Sequence, residues 1–127
     1  MKGKRRSLKP KPIKESRLDI AFSLWIRARD RHTCQRCFRS VPQVQIQNSH
    51  FFTRNARSTR WDPMNCDALC AGCHRYFEVR KNGEYRDWKI KQLSEPLFKE
   101  LSQRYYTLKK WTDPEKRELY EKYKIII

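Results

Sequence analysis

"CDALCAGCHRYF", residues 66–77, holds three of the chain's five cysteines and one of its three histidines. Cys70 and Cys73 form a CxxC pair. Upstream, "CQRC" supplies a second pair, Cys34 and Cys37, with 32 residues between the two. A CxxC puts two sulfurs on one tight knuckle, and a long spacer lets the second knuckle come from a distant element. Four thiolates so spaced match a structural tetrahedral zinc site. The basic N-terminus has no apolar stretch behind it and so does not read as a secretory signal. Reduced, metal-binding cysteines are therefore expected rather than disulfides. Cys66 is left over, four residues before Cys70, and reads as a buried small hydrophobe.

The rest of the composition points to a polyanionic partner. Lys and Arg number 30 against 14 acidic residues, a formal charge of +16 over 127 residues. That exceeds what solubility requires; DNA, RNA and an anionic membrane all qualify as partners. No run of 18 apolar residues occurs, so no membrane span is expected. The length suits one domain, which would bury a modest core and benefit from a metal clip.

Working outward, residues 1–16 are basic and aperiodic and read as a flexible tail, or as an arm along a phosphate backbone. Residues 17–127 read as one domain. In "RLDIAFSLWIRARD" (17–30), Leu18, Ala21, Phe22, Trp25 and Ala28 recur at helical spacing. "VPQVQIQNSHFF" alternates Val44 and Ile46 with Gln43, Gln45 and Gln47, a half-buried strand. Residues 52–65 read as its loop or hairpin return, with Trp61 as a core plug beside the zinc. "DALCAGCHRYFEVRKNG" moves into a helix expected to end near Gly83. Tyr85, Trp88 and Leu93 are apolar anchors beyond it. Leu97, Phe98, Leu101, Tyr105 and Leu108 predict one helix over 95–109. Thr112-Asp-Pro-Glu115 carries the capping-box signature of another, with Leu119, Tyr120 and Tyr123 on its inner face. The apolar end, "KYKIII", fits an edge strand, a packed tail or an oligomer contact.

The histidines carry the chemistry. His50 ends the Gln-rich strand, and His74 follows Cys73 at the start of a helix. If strand and helix pack together, both rings can face one cleft. Cutting a phosphodiester needs a base for the attacking water and a cation near the leaving oxygen. His50 as the base and His74 as a ligand of a divalent ion would supply both. The bland alternative is two polar histidines that touch phosphates or fill gaps. His32 is expected to be exposed or to pack beside the zinc knuckle.

The order Cys34-x2-Cys37, His50, Asn65, Cys70-x2-Cys73-His74 resembles the HNH endonucleases over about residues 30–90. "SHFFTRNARSTRWDPMNCDALCAGCHRYF" (49–77) is similar to the phage recombination proteins of the NinG or Rap type. The resemblance implies an α+β fold: a small zinc-stabilised ββα-metal core, flanked by an N-terminal helix and a helical C-terminal extension. It implies His50 as general base, Asn65 as the residue that holds the loop, and His74 as ligand of a catalytic Mg2+ or Mn2+. It implies structural Zn2+ on the four cysteines. Many HNH enzymes have an Asp directly before the base, where this chain has Ser49. A neutral Ser binds Mg2+ weakly, so the second ligand is open among Ser49, Asn48, His50, Glu78, Asp67 and a water. Arg54 and Arg60 are the expected phosphate clamps, Arg57 a general basic residue, and Arg75 and Arg80 an extension of the DNA path.

The expected function is a metal-dependent DNA endonuclease on branched recombination intermediates such as Holliday junctions. Two cuts would favour a homodimer, with the C-terminal helices and apolar end as its contact. The expected location is the cytoplasm, that of the host cell if a phage encodes the chain. The alternatives are a nonspecific or packaging-associated nicking HNH enzyme, and a zinc-dependent DNA-binding protein without catalysis.

Overall fold

The computed structural model describes residues 11–125. The elements run α1 (Glu15–Arg29), β1 (Ile46–His50), a 3-10 turn (Pro63–Asn65), β2 (Cys66–Cys70), α2 (Ala71–Glu78), α3 (Glu84–Leu93), α4 (Glu95–Tyr105) and α5 (Asp113–Tyr123). Among the described residues this is a mixed α+β architecture of five helices and one two-stranded antiparallel sheet. Ile46 is opposite Cys70 in the ladder, and His50 is opposite Cys66.

The sheet is covered on both sides. Helices α1 and α2 each lie against both strands, α5 lies along α1, and α4 packs on α3. Every residue of β2 is buried, and a strand covered on both faces loses the period-two alternation that marks a half-buried one. For that reason "CDALC" extends as a strand where a helical approach was expected. The helix begins only at Ala71, with Cys70 as its N-cap, and ends at Glu78 rather than near Gly83. Gly83 instead caps the start of α3. The outer edge of β2 is closed locally: Gln35 N donates to Ala68 O at 2.9 Å, and Ala68 N donates to Asp30 Oδ2 at 2.9 Å. An edge so paired offers no free ladder to another chain.

Two apolar clusters flank the sheet. One gathers Cys34, Ile46, Phe51, Leu69, Phe77 and Tyr85 under α2 to α4. The other gathers Ile13, Leu18, Phe22, Ile26, Trp61, Cys66 and Tyr123 between α1 and α5. Trp61 is thus a core plug, but in the α1–α5 cluster and not beside the cysteine knuckles. Cys66 is fully buried in the same cluster, as its reading required. Burial pushes its thiol well above the ordinary cysteine range.

Other boundaries differ. Ile13 is buried and Glu15 opens α1, so the flexible-tail reading fails for 11–16; residues 1–10 lie outside the described residues. Ile26 takes the inward position assigned to Ala28, which is exposed. Helix α4 stops at Tyr105, leaving Leu108 fully exposed, and Leu97 is also exposed. His32 is exposed, one of its two expected settings. The Thr112–Glu115 capping box is formed, and Tyr123, at the other end of α5, is buried against Phe22 and Trp25 of α1. Ile125 is exposed, while Ile126 and Ile127 lie outside the described residues. No described helix is long and apolar enough to cross a membrane.

Candidate active site and metal centre

The two knuckles meet. The Sγ atoms of Cys34, Cys37, Cys70 and Cys73 lie within 4.8 Å of one another, and Cys37 Sγ is 3.8 Å from Cys70 Sγ. Disulfide sulfurs would be ~2 Å apart. Zinc–sulfur bonds of about 2.3 Å put the corners of a regular tetrahedron about 3.8 Å apart. The donor set therefore fits a structural metal such as zinc. Local backbone geometry prepares each knuckle: Cys37 N points to Cys34 Sγ at 3.5 Å, and Cys73 N to Cys70 Sγ at 3.4 Å. Arg36 adds a cation, with Nη1 3.4 Å from Cys73 Sγ and its guanidinium 4.1 Å from the Tyr76 ring centroid. Burial pushes the Cys73 thiol up to about 12 against that contact, with Cys70 and Cys34 adding to the rise. Four thiolates this close are stable together only around a cation. The zinc would fix the β2–α2 junction, and its full coordination leaves His74 free for another role.

His74 stands on the first turn of α2, one residue beyond the cysteine knuckle. It and His50 line a single cavity of about 460 Å³, with Asn48, Arg54, Glu78 and Lys81 among its walls. His50 Nε2 is 2.9 Å from the carbonyl oxygen of Arg60. A carbonyl only accepts, so Nε2 carries the proton and Nδ1 is the acceptor of the neutral ring. Burial lowers the His50 pKa below its ordinary value, with the Arg54 and Arg60 charges pushing the same way and the bond to the Arg60 carbonyl and the Asp19 charge opposing. His74 Nδ1 is 2.7 Å from Gln47 Oε1, which leaves its Nε2 as the lone-pair nitrogen. Burial lowers the His74 pKa as well, while Glu78 opposes. Burial thus favours the neutral form of both rings, and each is anchored through the opposite nitrogen.

Asn65 is fully buried behind this cavity. Its Oδ1 accepts from Phe52 N at 2.8 Å, and its Nδ2 donates to Phe52 O at 2.9 Å and to Thr59 O at 3.1 Å. The side chain therefore staples both ends of the loop that leaves His50.

The candidates for a second ion ligand separate. Ser49 is fully buried and its Oγ is engaged by Tyr85 Oη at 2.8 Å. Asp67 is turned to the far side, in a buried pair with Lys89 Nζ at 2.6 Å. Neither is available. Asn48 Oδ1 is buried without a hydrogen-bond partner among the described residues. Glu78 follows His74 by four residues on α2, one turn along the same face. Asn48, His74 and Glu78 line the same cavity, and their nitrogen and oxygen atoms are of the kind that Mg2+ or Mn2+ takes with waters completing the shell.

The arginines sort differently from their sequence reading. Arg54 is exposed on the cavity rim, with only a 3.9 Å approach to Asp19. Arg60, an expected phosphate clamp, is spent: its Nε and Nη2 lie 3.1 and 2.6 Å from the two Asp19 oxygens, and it stacks on Trp61. Arg57, expected to be solvated, is half-buried and ion-paired with Glu15. Arg80 packs on the Tyr76 ring and donates to Tyr76 O at 2.8 Å. Arg75 is exposed on α2, outside the cavity walls. Lys81 and Asp19 line the cavity and were missed; Asp19 at i+4 from Glu15 was the available signal for an acidic stripe on α1.

Comparison of the chain with protein-family models, curated proteins and solved structures finds no match.

Proposed function

We propose that this chain is an HNH-type, metal-dependent DNA endonuclease acting on branched recombination intermediates. One observation carries the reading. His50 and His74 line the same cavity, each anchored by one ring nitrogen and leaving the other unengaged. The strand–strand–helix order around them, the buried Asn65 staple and the four-cysteine cluster support it as a constellation.

In this reading His50 Nδ1 takes the proton of the attacking water. The Arg60 carbonyl fixes the ring's tautomer and orientation, and Asn65 holds the loop between them. Arg54 and Lys81, on the rim, hold the phosphate flanking the scissile bond. Asn48, His74 and Glu78 would hold the Mg2+ or Mn2+. A divalent ion there supplies charge stabilisation to the scissile phosphate and to the departing 3′ oxygen.

Ser49 favours a second reading, a zinc-dependent DNA-binding protein without catalysis, because no carboxylate precedes His50. One assay separates them. A four-way junction and a linear duplex of matched sequence are incubated with Mg2+, Mn2+ or chelator. The proposal expects metal-dependent cutting of the junction. His50→Ala should lower that rate about 10²- to 10⁴-fold, the usual contribution of a general base. Tight binding with no cutting under any metal selects the binding protein. Equal cutting of both substrates selects a nonspecific nicking enzyme.

A further inference from the structure

Beside the cavity lies a second groove of about 500 Å³, and the two share Thr53 and Lys81 as walls. Its floor is aromatic. Phe52 stacks on Tyr105 with centroids 3.9 Å apart and planes 7° off parallel, and lies 6.5 Å from Phe98 at 25°. Tyr106 stands edge-on to Tyr105 at 4.8 Å and is 80% exposed. Lys81 and Arg86 supply the charge, the latter with its guanidinium 5.9 Å from the Phe98 ring. None of the described residues lining the groove is acidic.

Aromatic faces beside cations that have no acidic partner among the described residues match a nucleic-acid strand whose bases are not paired: rings take bases by stacking, cations take the phosphates between them. A duplex, with its bases turned inward, would leave the rings unused. Continuity gives the direction of the strand. Phe52 lies two residues past His50, and Lys81 spans both cavities, so a strand leaving the catalytic cavity passes Lys81 onto the aromatic floor.

We infer that this groove binds an unpaired single strand of DNA next to the scissile phosphate. Resting on the endonuclease reading, this narrows the substrate to forks, flaps and junctions whose arms open near the cut. Tyr106 is the exposed stacking ring, and Arg86 and Lys81 are the phosphate contacts.

The test is direct binding by the zinc-loaded full chain without added divalent ion. The probes are a labelled oligothymidylate of about 12 nucleotides, within the usual span of single-strand sites, an abasic strand of equal length and charge, and a duplex. The base-bearing strand should bind about tenfold tighter than the abasic one, the effect of stacking one base or more. Tyr106→Ala should remove that preference, and Arg86→Ala should weaken both single strands alike. Tyr106 is exposed, so an unchanged melting temperature shows that the variant is folded. Equal binding of base-bearing and abasic strands overturns the inference. So does a Tyr106→Ala variant that keeps the full preference, or a groove found to close a dimer without any base-dependent binding. A base preference in unsubstituted protein that cuts no DNA under any metal supports the groove while the endonuclease reading falls. Metal-dependent junction cutting with no base preference in binding does the reverse.

Discussion

Three hydrogen bonds meet on the Asn65 carboxamide, and all of them close the loop behind His50. The residue is fully buried, and truncation removes the partner of Phe52 N and of Phe52 O and one of the two donors to Thr59 O, which keeps Asp62 N. Each buried group left unpaired costs about 1–3 kcal/mol. Asn65→Ala should therefore lower the urea midpoint markedly and also loosen His50, whose ring is held by the carbonyl of Arg60 in the same loop. An unchanged midpoint would remove the staple role. At this scale the sequence was informative where a motif fixes residue type and spacing, as for the four cysteines, His50, Asn65 and His74. It was uninformative for charges. Arg54, Arg57 and Arg60 look alike in "TRNARSTR", yet only Arg54 remains on a rim. The difference lies in Glu15 and Asp19, some 40 residues away, which no local pattern connects to them.

Those two carboxylates make α1 an electrostatic brace as well as a packing helix. Glu15 takes Arg57 and Lys116, joining α1 to the loop and to α5. Its side-chain bond to Arg57 is the largest influence on its carboxyl; together with Lys116, and against some desolvation, it brings the pKa down to about 2 from an ordinary 4.5. A carboxyl whose folded pKa is depressed adds stability above its unfolded value and loses it as pH falls through the folded value. The contribution of Glu15 should thus be complete above pH 4.5 and fade toward pH 2. Glu15→Gln should lower the melting temperature at pH 6 and match the parent near pH 2; an equal deficit at both would refute the brace. Element boundaries were legible where chemistry punctuates the chain, as at the Thr112 capping box. They failed where burial on both faces hides the strand period, as in Cys66–Cys70. Cys70 ends that strand, caps α2 and belongs to the four-cysteine cluster, so three roles converge on one residue. Purified chain should carry one zinc. Stripping it with a thiol reagent and chelator should unfold the β2–α2 junction, since structural zinc contributes on the order of 10 kcal/mol in small domains. Retained ellipticity and an unchanged melting transition after complete stripping would show that the clip is not structural.

Over the whole molecule, the 30 Lys and Arg residues overstate the cations available for direct contact with a polyanion. Arg29 is committed to Asp30 and to the carbonyls of Pro63 and Cys66, Lys89 to Asp67, Arg104 to Asp62, and Arg57 and Arg60 to α1. These cations hold the fold and contribute little to counterion release. Around the cavity and the adjoining groove the available set is smaller: Arg54, Lys81 and Arg86. Each phosphate neutralised on duplex DNA adds about −0.9 to the slope of log affinity against log salt, and about −0.7 on a single strand. On the nucleic-acid reading, Arg54→Ala and Lys81→Ala should each make the measured slope shallower by about one unit, with the melting temperature unchanged. Arg57→Ala and Arg60→Ala should do the opposite, lowering the melting temperature while leaving the slope as it was. The two outcomes are separable in one set of variants, because a phosphate contact is read by salt and a brace by heat. If all four variants reduced the slope alike, the α1 pairs would have to open on binding DNA, and Glu15 and Asp19 would then act as a built-in competitor for the phosphates.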